Sequence, residues 1–105
     1  MPLLIVEAIN LVDKILALHP DPDKQPTRID RHKYELTKAA MLDIIAARGV
    51  VPFKDLAPAL EARLGERFEG SVSWYCTTVK LDLEARGLIE RVPGASPQQV
   101  RPAGK

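Results

Sequence analysis

The stretch "ARGLIER", residues 85 to 91, constrains this chain more than any other. Before it, Val72, Cys76, Val79 and Leu83 recur at helical spacing. After it, "LIERV" alternates apolar and polar residues as a strand does. Between the two stands Gly87, which can take the left-handed conformation that ends a helix. No linker separates the elements. Leu88 and Ile89 must therefore begin a strand directly beneath the helix and plug the core there. "PGASP" then reads as a turn and "QQVRP" as a returning strand.

The elements before this junction follow from similar signals. Asp30 can cap a helix that runs to Gly49, with Tyr34, Thr37, Met41, Ile44 and Ile45 on one face. "VVP" at 50 to 52 is β-branched and stopped by proline, so it makes only a brief strand. Phe53, Leu56, Leu60 and Leu64 mark a further helix, with Pro58 near its first turn or at a kink. Gly65 and Gly70 bracket a loop, and Ser71 or Ser73 caps the helix that ends at Gly87.

The N-terminus reads differently. Residues 3 to 18 are apolar over about half of a helical wheel. Leu4, Ala8, Leu11, Ile15 and Leu18 follow the 4-3-4-3 spacing of a coiled-coil seam. The reading is an amphipathic helix over residues 2–18 that forms a homodimer through Leu4, Leu11, Ile15 and Leu18. "HPDPDKQP" carries three prolines in eight residues, which makes residues 19–29 an extended tether. The segment lacks a basic leader, and Glu7, Asn10, Asp13 and Lys14 interrupt it, so it is neither a signal peptide nor a membrane span.

The expected fold class is mainly α with a small β-hairpin (α+β). Residues 30–102 have the element order of a winged helix-turn-helix, with the N-terminal helix as an addition. The residues support a further resemblance. "TVKLDLEARGLIER" resembles the recognition-helix and wing junction of bacterial winged-helix regulators. "WYCTTVKLDLEARGLIER", with "HPDPDKQPTRIDRHKYELTKAAML" upstream, is similar to a family of small, uncharacterised bacterial winged-helix-like proteins. The similarity spans roughly residues 19 to 93 and implies no activity.

A winged helix of this kind implies double-stranded DNA as the leading partner, bound by a transcriptional regulator. On the last helix Ser73, Thr77 and Lys80 would face bases, and Arg86, Arg91 and Arg101 around the wing would hold phosphates. Arg31, Lys33 and Lys38 could add to them. Three features point instead to a protein interaction module without DNA binding. Net charge is only +1, from 15 basic and 14 acidic residues. The last helix carries an acidic "DLE". Trp74 and Leu81 lie almost opposite its core face, where they suit a dimer or partner interface.

Enzyme chemistry is not expected. Cys76, the single cysteine, falls on the core face and forbids an intrachain disulfide, in keeping with a cytoplasmic protein. His19 and His32 have no neighbours at metal-ligand spacing, and Asp82 and Glu84 point to different sides of the helix. No phosphate-binding glycine loop is present, so no cofactor or metal is expected.

Overall fold

The computed structural model describes residues 13–104. Its elements are β1 (Lys14–Ala17), β2 (Thr27–Asp30), α1 (Arg31–Arg48), β3 (Val51–Pro52), α2 (Phe53–Leu64), α3 (Val72–Ala85), β4 (Ile89–Arg91) and β5 (Gln99–Pro102), with a 3-10 turn at Gly65–Arg67. The fold is α+β: three helices with two small antiparallel sheets.

Helices α1 and α3 start and stop where their capping chemistry requires. Asp30 caps α1 by accepting from the Lys33 N–H at 3.0 Å, and that bond holds its carboxyl below the usual range. Gly49 ends α1 at a φ of 83°, closed to any residue with a Cβ at little cost. Ser71 caps α3 by accepting from the Trp74 N–H at 3.0 Å. Pro58 falls in the second turn of α2 without ending the helix.

The end of α3 is a complete Schellman motif. The Gly87 N–H donates to the Glu84 carbonyl at 3.1 Å, and the Leu88 N–H donates to the Leu83 carbonyl at 2.9 Å. Gly87 has a φ of 76°, which the motif demands. The chain turns back under its own helix and β4 begins. Ile89 fills the core as expected, but Leu88 faces solvent. β5 is the middle strand of the second sheet, in the order β3-β5-β4. Val100 is fully buried there, paired with Val51 on one side and Arg91 on the other.

One core joins all of these pieces. Tyr34, Thr37, Met41, Ile44 and Ile45 of α1 are buried, as the periodicity expects. They meet Leu56, Leu60 and Leu64 of α2 and Cys76, Val79 and Leu83 of α3.

The N-terminal region departs from expectation. Lys14–Ala17 is a strand and not the last turn of a helix. It pairs antiparallel with β2 in the register Lys14↔Asp30 to Ala17↔Thr27. Ala17 and Ile29 are buried, and Ile15 packs on the core while Lys14 and Leu16 face out. This is period two, which a dense apolar run satisfies as readily as a helical period. β2, "TRID", carries one apolar residue, so it announces itself weakly. The proline-rich segment is accordingly the loop of a hairpin and not an extended tether. The Lys24 N–H donates to the Asp21 carbonyl at 3.0 Å, and the Asp23 N–H to Asp21 Oδ1 at 2.9 Å. Leu4 and Leu11 lie outside the described residues.

These packing assignments give a stability test. Leu83 is wholly buried between helices and hairpin, so Leu83→Ala should cost about 2–5 kcal/mol in urea unfolding. Thr77 on the same helix is exposed, and Thr77→Ala should change stability by less than about 0.5 kcal/mol.

Candidate functional site

The outward side of α3 and the C-terminal hairpin hold the residues that the sequence points to. Their environments differ sharply from one another. Ser73 and Thr77 are exposed. Trp74 is 48% exposed in the first turn of α3. Its ring stands edge-on to Tyr75 at 5.1 Å, and Tyr75 stands edge-on to Phe68 at the same distance. The Lys33 ammonium lies 5.8 Å from both of the latter rings. The indole is thus braced on one edge and open on the other.

Lys80 departs from its expected place. It is the one basic residue in the sequence of α3, yet its side chain is only 4% exposed. Its ammonium pairs with Glu84 Oε2 at 3.0 Å, one turn on, and lies 5.0 Å from the Phe53 ring centroid. Glu84 is itself only 8% exposed, and its Oε2 receives no aligned hydrogen bond. Lys80 therefore does not stand out toward bases. The wheel places it in the polar strip, but its ammonium lies over the Phe53 ring and beside Glu84, out of the solvent.

The arginines divide in the same way. Arg86 is a structural tie, not a free phosphate contact: Nε donates to both oxygens of Asp82 at 2.9 Å, and Nη2 donates to the Leu16 carbonyl at 3.2 Å. Arg101 Nε donates to Glu90 at 2.6 Å across the hairpin, and this bond lowers the Glu90 pKa. Arg31 is tied to Asp13 at 2.6 Å. Arg91 alone of the three hairpin-side arginines is exposed without an ion pair among the described residues.

Leu81 also separates from Trp74. It lines a groove of about 500 Å³ with His19 and Pro20, so the hairpin loop partly covers it. Ile15 and Leu18 serve the hairpin's own packing: Ile15 lies on the core, and the Leu18 N–H donates to Asp82 Oδ1 at 2.8 Å.

Asp82, which the sequence excludes only as a catalytic partner of Glu84, has a structural role that the sequence does not reveal. It has no exposed surface, and it also accepts from the Tyr34 hydroxyl at 2.5 Å. Burial and the Asp82 bond together push the Tyr34 phenol up to about 12. A signal for this was present in the Asp82–Arg86 spacing of four residues, which brings the two side chains together on a helix. Cys76 is buried as expected, and desolvation pushes its thiol up to about 11, so it is a poor nucleophile at neutral pH.

Among the described residues, no group of three or more His, Cys, Asp or Glu could hold a metal ion, and no helix is long and apolar enough to cross a membrane. Residues 14–100 match a family of unknown function (DUF6958), and the chain belongs to that family. The match begins at the first residue of β1 and ends within β5, so it takes in the N-terminal hairpin. No curated protein matches the chain.

Two outcomes test the Asp82 cluster. Asp82→Ala strands a guanidinium and a buried hydroxyl, and should cost about 3 kcal/mol, the low end for a broken buried pair, because Arg86 keeps access to water. Amide exchange in β1 and β2 should quicken more than exchange in α1. The second outcome concerns pH. The folded chain holds the Tyr34 proton more tightly than the unfolded chain, whose phenol titrates near its ordinary value of 10. The resulting stability is present below pH 10 and is lost as pH rises toward about 12. Denaturation of wild type beside Tyr34→Phe isolates it: only the wild type should show this component of the decline.

Proposed function

We propose that this chain is a winged helix-turn-helix domain acting as a protein interaction module, with the outward face of α3 as its docking surface. The fold reading is supported by the order helix, short strand, helix, helix, hairpin, and by a sheet in which the last strand lies between the other two. The wing is the β4–β5 hairpin, and α3 stands in the recognition-helix position.

One observation carries the functional reading. The face of α3 offers a half-exposed indole and no available cation, because its lone lysine is buried against Glu84. DNA affinity depends on cations that neutralise phosphates and release counterions. Arg86 and Arg101 are committed to carboxylates, which leaves Arg91 as the wing's exposed guanidinium. Indole rings at the centre of an interface commonly carry a large share of its energy. Trp74, flanked by the exposed hydroxyls of Ser73 and Thr77, has that composition. The partner is then a protein surface with an apolar pocket for the ring, and a second copy of the chain is one such surface. This reading is non-enzymatic and needs no cofactor.

DNA binding is the second reading. Exposed Ser73 and Thr77 on α3, with exposed Arg91 on the wing, favour it.

A salt series with mixed genomic DNA fragments separates the two. A module should bind no fragment better than about 0.1 mM at physiological salt, the weak end of nonspecific association. Tighter binding whose salt slope falls by about one unit in Arg91→Ala would instead establish the phosphate contact and overturn the module reading. Sedimentation of the full chain at tens of micromolar tests self-docking directly. If the partner is a second copy, Trp74→Ala should shift a dimer to monomer, with an unchanged circular dichroism spectrum.

A further inference from the structure

The groove beside Leu81 is built from three separate parts of the chain. Its floor is the α3 stretch that carries Lys80 and Glu84, one wall is the N-terminal hairpin loop at residues 19–21, and the other is β4. At about 500 Å³ it lies within the usual range for small-molecule sites. Pro20, Leu81 and Ile89 give it apolar surface.

The charges that line it balance. Glu90 is committed to Arg101, from which it accepts at 2.6 Å. That leaves Lys80 and Arg91 against Asp21 and Glu84. A ligand carrying a net charge of either sign therefore meets a like charge in the groove as well as an opposite one.

Its hydrogen bonds do not balance. Glu84 is only 8% exposed, and its Oε2 is a buried acceptor that receives no aligned hydrogen bond. The Lys80 ammonium at 3.0 Å offsets the charge of this carboxylate, so what the oxygen lacks is a well-directed donor and not a second cation. The terminal torsion of a glutamate is soft, and a small rotation turns such an oxygen toward a donor that enters beside it. The walls have the opposite need. Arg91 is exposed and makes no ion pair among the described residues. His19 Nδ1 accepts from the Asp21 N–H at 3.0 Å, which in the neutral ring puts the proton on Nε2 and leaves that nitrogen a donor. The groove thus combines an unmet acceptor at its floor with unengaged donors at its walls.

We propose that this groove binds a small neutral molecule that carries a primary amide, or an equivalent paired donor and acceptor, on an apolar body. The amide N–H donates to the Glu84 carboxylate, and the amide carbonyl accepts from Arg91 or His19. The body lies on Pro20, Leu81 and Ile89. A carboxylate ligand has no proton to give Glu84, and an ammonium ligand comes up against Lys80. The bound molecule bridges the N-terminal hairpin loop to β4, and the site stands whether the outer face of α3 meets protein or DNA.

Amide chemical-shift titration of the full chain tests this with hexanamide, N,N-dimethylhexanamide, hexanoate and hexylamine as probes. Hexanamide should give saturable shifts at His19, Leu81, Glu84 and Arg91. The dimethyl amide keeps the body and the carbonyl but has no N–H, and it should bind roughly tenfold more weakly, as expected on losing a hydrogen bond to a charged acceptor. Hexanoate and hexylamine should also bind more weakly than hexanamide. Replacing both members of the buried pair, Lys80→Met with Glu84→Met, strands neither charge and should erase the preference for hexanamide over its dimethyl form. Thr77→Ala should leave every affinity unchanged. Equal binding of the two amides by wild type would reduce the groove to an apolar crevice and overturn the proposal. So would tighter binding of hexanoate or hexylamine, a preference that survives in the double variant, or no saturable shift at millimolar probe. The comparison among probes uses wild-type protein, so it does not depend on any variant folding.

Discussion

The carboxylate of Asp82 ties the N-terminal hairpin to the first and last helices. It is wholly buried, and it accepts from the Leu18 backbone, the Tyr34 hydroxyl and the Arg86 guanidinium. Those donors belong to the segment after β1, to α1 and to the end of α3. A carboxylate taken out of water is costly unless its lone pairs are met, so the four groups are specified together. Arg86 extends the network by donating to the Leu16 carbonyl on β1. Hydrophobic contact from Ala17 and Ile29 then seals the hairpin to the core.

This clamp has consequences for the surface of α3. It draws the loop after β1 toward the helix, where the loop partly covers Leu81 and makes one wall of the groove. The helix is left with two unlike outer regions. Near its start, Trp74 stands open beside hydroxyls. Near its end, Lys80 and Glu84 lie sunken between that loop and β4. The proposed protein-docking face is the first region. Indole binds largely by desolvation, whereas the second region is dominated by a sunken ion pair.

The near-neutral net charge acquires a local meaning in this arrangement. Basic residues are numerous, but several are paired with carboxylates of the same chain. Arg86, Arg101, Arg31 and Lys80 all face carboxylates, so the surface field is weaker than the count of cations suggests.

Much of the fold was legible in the sequence because the signals are local. Asp30, Gly49, Ser71 and Gly87 act on backbone groups a few residues away, and each sits at the helix end where its chemistry belongs. The apolar period in α1 names its buried face residue by residue. Three features were decided only by tertiary structure. Residues 14 to 17 suit either a helix or a strand by pattern, and the pairing with Thr27–Asp30, across a loop of prolines, selects the strand. The fate of Lys80 depends on Phe53, a residue from another helix whose ring lies against its ammonium. The role of Asp82 depends on donors 48 and 64 positions away in the chain. A wheel drawn from one helix records where a side chain points. It does not contain the neighbours that decide whether a charge there meets water, a ligand or a buried partner.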